Sequence, residues 1–136
     1  MEYRLREHTA DVAVEARGGS LDAVFAAVAK GFVEASCEEV PAGGETFTMD
    51  VESESLEALL FDYLDELIYQ RDVRDVMPVD HETTVTENNG TFRVQATARG
   101  VPLDRIDARE IKAVTYSEMR LEHVDGSWES YVVFDV

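Results

Sequence analysis

Between Asp11 and Arg17 the apolar side chains Val12, Val14 and Ala16 alternate with polar ones, the two-residue period of a half-buried strand, and a shorter strand precedes it over Tyr3 to Arg6. Gly18-Gly19 ends this segment. Ser20 then stands as an N-cap with Asp22 in the first turn, and Leu21, Val24, Phe25, Val28 and Phe32 recur on one helical face, predicting a helix to Ala35. Pro41, Gly43 and Gly44 make a loop of 38–45, after which Phe47, Met49 and Val51 alternate with Thr46, Thr48 and Asp50 as another half-buried strand. Ser53 or Ser55 caps a second helix. There Leu56, Leu59, Leu60, Tyr63, Leu64, Leu67 and Ile68 form a broad apolar stripe, opposite Glu57, Asp62, Asp65 and Glu66, and its density predicts the central packing helix.

From Val76 the pattern turns to β-type. A strand over Thr83 to Glu87, a turn at Asn88-Asn89-Gly90 and the alternation of Phe92, Val94, Ala96 and Ala98 predict a hairpin, because Asn-Gly accepts the positive φ of a tight turn. Pro102 to Glu110 is polar and irregular, with one helical turn begun at Asp104. Two more β-type segments, Ile111 to Val124 and Ser127 to Val136, are joined by Asp125-Gly126. The order is β-β-α-β-α-β-β-β-β with no composition break marking a linker. It predicts a single α+β domain over 1–136, two helices packed on a mostly antiparallel β-sheet.

Charge narrows the function classes. The 136 residues carry 29 acidic and 12 basic side chains, a net charge of −17, on a chain that is 45% hydrophobic and therefore able to bury a core. So negative a surface repels phosphate backbones and anionic lipid heads, which argues against direct, autonomous nucleic-acid binding and against a membrane partner. Only Lys30 and Lys112 are lysines, against ten arginines. The acid excess and the lysine shortage together suggest a halophilic protein whose self-repulsion is screened by salt. Cys37, the one cysteine, excludes an intrachain disulfide or a zinc knuckle and fits a reducing compartment. The opening Met-Glu-Tyr-Arg-Leu-Arg-Glu-His lacks an apolar signal core, and no stretch reaches the roughly 18 apolar residues of a membrane span, so a soluble, cytoplasmic protein is expected.

Phosphate loop, dinucleotide fingerprint, HExxH and nucleophile elbow are all lacking. His8, His81 and His123 stand far apart without ligand spacing, so a histidine metal site would need the fold to gather them. His8-Thr9-Ala10-Asp11 joins two strands, and the residues alone read as a tight corner in which Thr9 and Asp11 bond nearby backbone N–H groups. At the other end Asp135 sits at the rim of the hydrophobic strand Tyr131 to Phe134, where fraying into solvent is the plain reading. Hard cations take several oxygen ligands, so Asp11 and Asp135 make a cation site if the fold brings them together. Lys112 reads as a solvated or carboxylate-paired strand residue, yet its use in a chain that favours Arg hints at a compact cation with a specific role. Cys37 reads as a buried small hydrophobe at the helix end, and the acidic side of the second helix as a solvated surface.

At Tyr3, Glu7-His8-Thr9-Ala10-Asp11, Ser20-Leu21, the Leu59-Leu60 to Leu67-Ile68 helix, Lys112-Ala113-Val114-Thr115-Tyr116 and Asp135-Val136, the sequence resembles the archease family over the whole chain. That family usually has His after the Lys-Ala-Val-Thr-Tyr stretch, and here Ser117 stands in its place. The resemblance implies a small cytosolic accessory protein of the RtcB-type RNA ligase, which uses GTP and Mn²⁺ to join tRNA halves in tRNA splicing. It implies a non-catalytic activator that promotes guanylylation of the ligase's active-site histidine, sustains multiple turnover and alters which nucleoside triphosphate is accepted. It implies as well a divalent cation, Ca²⁺ with Mn²⁺ or Mg²⁺ as alternatives, held by Asp11, Asp135 and a main-chain oxygen of Val136. His8 and Lys112 become contacts with the ligase or its nucleotide. Two other classes stand beside this one: a metal-dependent phosphohydrolase using the same carboxylates, and a chaperone-like adapter that lends its sheet to partners.

Overall fold

The computed structural model describes residues 2–7 and 11–136. Its elements follow the expected order: β1 (Glu2–Glu7), β2 (Asp11–Gly18), α1 (Leu21–Ser36), β3 (Glu45–Ser53), α2 (Leu56–Arg74), β4 (Val76–Asn88), β5 (Thr91–Pro102), a 3-10 turn (Leu103–Arg105), β6 (Ala113–Val124) and β7 (Ser127–Asp135). The α+β class holds, and the strands divide between a four-stranded sheet, ordered β1-β2-β7-β6, and a three-stranded sheet, ordered β3-β5-β4. Every strand pair is antiparallel.

Local chemistry fixes the ends. Ser20 and Ser55 each accept a hydrogen bond, at 3.1 Å, from the backbone N–H three residues on, capping α1 and α2. Asn89-Gly90 and Asp125-Gly126 all have positive φ, so both tight hairpins turn with the twist of their strands. α2 runs to Arg74, six residues past the end of the apolar stripe, and closes on Asp75 in the left-handed conformation (φ 54°), whose N–H donates to the Arg71 carbonyl.

Both helices touch both sheets. α1 packs on β1, β2 and β7 of the first and on β4 of the second, while α2 packs on β6 of the first and on all three strands of the second. Phe32 meets Phe134 of β7 with ring centroids 5.5 Å apart, and Phe25 meets Tyr63 of α2 at 6.2 Å, so one continuous core joins the layers. The expectation that α2 is the central packing helix is not borne out. α1 buries ten residues against seven for α2, and its Gly31 lies close against Val14 of β2.

Candidate functional site

The register of β2, β7 and β6 sets Asp11 directly opposite Asp135, and Asp135 opposite Ala113. In the next row inward Val12, Phe134 and Val114 are all buried in the core, so strand alternation turns Asp11, Asp135 and Ala113 to the other face of the sheet. Residues directly opposite across an antiparallel pair have Cβ atoms about 5 Å apart, and like charges there are destabilising. No described Lys or Arg forms an ion pair with either carboxylate. Two facing carboxylates without a basic partner among the described residues, beside the small side chain of Ala113, are an electrostatic arrangement that a bound cation would relieve.

The same end of the sheet gathers the other expected residues. Lys112 donates its backbone N–H to the Asp135 carbonyl at 2.8 Å and is exposed, while Val136 packs partly against the core. His8 lies outside the described residues. One step along the carboxylate face from Ala113, Thr115 keeps a buried Oγ1 without a hydrogen-bond partner. Among the described residues no group of three or more His, Cys, Asp and Glu is arranged to hold a metal ion. Among the described residues the donors at this end are oxygens, two carboxylates and main-chain carbonyls, a hard set of the kind that suits Ca²⁺, Mg²⁺ or Mn²⁺.

The two described histidines lie away from this end. His81 on β4 has Nε2 2.8 Å from the Pro78 carbonyl and Nδ1 3.1 Å from the Tyr63 hydroxyl. The carbonyl can only accept, so Nε2 carries the proton and Nδ1 accepts from Tyr63. Burial lowers the His81 pKa to about 4, against the opposing effects of the Pro78 carbonyl and Asp80. His123 lies against the Trp128 ring, 4.9 Å between centroids. Cys37 is buried as expected, and burial pushes its thiol pKa up, with the Glu34 charge adding to the shift.

Two features of the site escaped the sequence reading. Arg71, only 5% exposed, donates from Nη1 to the Ile111 carbonyl at 2.7 Å and so ties α2 to the residue before Lys112. A signal for it exists, since Arg71 continues the Leu60, Leu64, Leu67 stripe at helical spacing. The second is a break in β6. Thr115 pairs with Val133 but the next pair is Arg120 with Tyr131, so Tyr116 to Met119 bulge from the ladder, with Glu118 at φ 63°. Tyr116 lands flat on Phe61 of α2, with centroids 4.1 Å apart and 6° between planes, and Ser117 is exposed on the bulge. Desolvation raises the Tyr116 pKa, and the charges of Asp62 and Glu57 add to it.

The Archease protein family (MTH1598/TM1083) matches residues 3–136. A protein archease of Thermococcus gammatolerans is 34% identical over 135 residues, covering 96% of this chain and 95% of that one. The solution structure of Methanobacterium thermoautotrophicum protein 1598 superposes with a TM-score of 0.87 at 26% identity, covering 98% of both chains. The crystal structure of an archease, possible chaperone, from Thermotoga maritima shares the fold, with a TM-score of 0.65 at 22% identity over 100% of this chain and 98% of that one. With a family match that runs from Tyr3, on the first strand, to Val136, beside the Asp11–Asp135 pair, the chain belongs to the archease family.

Proposed function

We propose that the protein is a non-catalytic activator of an RtcB-type RNA ligase in tRNA splicing, promoting guanylylation of the ligase's active-site histidine, sustaining multiple turnover and altering nucleoside triphosphate selection. Family membership supports this reading, and the observation that carries it is the facing Asp11–Asp135 pair beside Lys112. Asp11 and Asp135 would hold a divalent cation of the Ca²⁺, Mn²⁺ or Mg²⁺ class, with a main-chain oxygen of Val136 as a further donor. Bound between Asp11 and Asp135, such a cation would neutralise the carboxylate pair and supply Lewis-acid chemistry towards a triphosphate. Lys112 sets a compact positive charge beside that end for a nucleotide phosphate or a ligase carboxylate, and His8 is assigned to the same contact. The chain's own negative surface leaves the grip on tRNA to the ligase.

Multiple-turnover ligation with the cognate ligase tests the assignment, together with calorimetric Ca²⁺ titration of the isolated protein. Asp11→Ala and Asp135→Ala are expected to abolish both cation binding and stimulation, and Lys112→Ala to abolish stimulation while leaving cation binding intact. Stimulation at the wild-type level by all three variants would remove this end of the sheet from the function. The Thermotoga relative is a possible chaperone, and that reading makes a different forecast: suppression of aggregation of unrelated proteins without preference for the ligase.

A further inference from the structure

We propose that the solvent face of α2, extended by Tyr116 and joined through β6 to the Asp11/Asp135 end, is a docking surface for a cationic protein surface. The proposal rests on the activator reading and names the part of the ligase it would meet: the basic surface that any RNA-joining enzyme must carry to hold phosphates. α2 sets Asp62, Asp65, Tyr69 and Val73 at i, i+3, i+7 and i+11, a single stripe on the side away from its apolar stripe. Tyr69 is 57% exposed, Val73 59% and Tyr116 54%, and they are three of the four large hydrophobic side chains left exposed among the described residues. Isolated exposed hydrophobics need no explanation, but here two lie one turn apart and the third is held against the same helix by its flat stack on Phe61.

The surrounding charge selects the occupant. The helix's two arginines turn away from the stripe, Arg71 into the core, where its Nε also pairs with Asp72 at 3.0 Å, and Arg74 over the Phe47 ring at 4.5 Å, so neither forms an ion pair with Asp62 or Asp65. RNA, free nucleotides and anionic lipid are repelled by such a face. A protein surface whose cations meet the aspartates and whose apolar patches receive Tyr69 and Val73 is attracted, with tyrosine as the usual kind of anchor. Docking there covers ligase surface that RNA would otherwise occupy, so this contact and RNA compete.

The test measures affinity for the full-length cognate ligase by titration across a KCl series, using Tyr69→Ser with Val73→Ser, and separately Asp65→Lys. All three positions are exposed, and circular dichroism confirms folding. The expected result is a Kd raised about tenfold or more in each variant, a flatter salt dependence for Asp65→Lys, and Ca²⁺ binding unchanged from wild type. Wild-type Kd in both variants, with stimulation intact, overturns the docking surface and leaves the activator reading standing. If wild-type protein binds no ligase, both readings fall. Sedimentation showing a dimer that the Tyr69→Ser, Val73→Ser variant loses would give the stripe to a second copy of the chain and overturn the proposal.

Discussion

At the scale of single residues, the fold supplies partners to two polar side chains set among apolar ones. Arg71 finds the Ile111 carbonyl and His81 finds Tyr63 and Pro78, so both are satisfied while largely enclosed. For His81 the consequence is a pH dependence. Its folded pKa near 4 lies below the ordinary value of 6.5, so in the window between them the unfolded chain binds more protons. The contribution of this group is therefore complete above about pH 6.5 and is lost as pH falls towards 4, with up to about 3 kcal/mol at stake. Protonation of the many carboxylates relieves repulsion in an overlapping range, so the readout is a difference. Subtracting urea stabilities of His81→Gln from those of the wild type at each pH is expected to give a curve that declines from pH 7 to pH 4. A flat difference would mean that the imidazole takes up its proton equally readily in the folded and the unfolded chain.

Between elements, the closest approach worth testing is that of α1 to β2. A Cβ placed on Gly31 would stand 2.5 Å from Val14 Cγ1, and Val14 is a fully buried, β-branched side chain with no room to turn. Helix propensity alone favours Gly31→Ala by about 1 kcal/mol, whereas overpacking a core contact costs about 1–3 kcal/mol. The contact is expected to win, lowering the urea midpoint of Gly31→Ala, and adding Val14→Ala to that variant is expected to cost less than Val14→Ala does in the wild-type background. Additive losses would show that the helix shifts instead of pressing on the strand. The length of α2 belongs to the same scale. Its apolar stripe stops at Ile68 in any count of hydrophobic residues, but Arg71 takes the next inward position and the left-handed Asp75 ends the helix.

For the whole molecule the dominant quantity is the net charge of −17. Screening lengths shrink from about 10 Å in 0.1 M salt to about 3 Å in 1 M, which removes repulsion between carboxylates on neighbouring elements. We propose a salt-tolerant, acid-faced protein on this ground, with a thermal midpoint expected to rise by several degrees between about 0.1 M and about 2 M KCl. A midpoint insensitive to KCl would show that the acidic surface carries no net strain. No helix among the described residues is long and apolar enough to cross a membrane.

By itself the sequence determined the identity and order of the elements, since alternation, helical spacing, serine caps and Asn-Gly or Asp-Gly turns depend on residues within a few positions of one another. The Glu7 to Asp11, Lys112 to Tyr116 and Asp135-Val136 segments also made the family legible. Tertiary structure decided how the strands divide into two sheets and in which register β2 meets β7, choices set by side-chain packing between segments more than a hundred residues apart. That register alone makes Asp11 and Asp135 neighbours. A slip of one residue would have turned one of them towards the core, because successive side chains on a strand point to opposite faces.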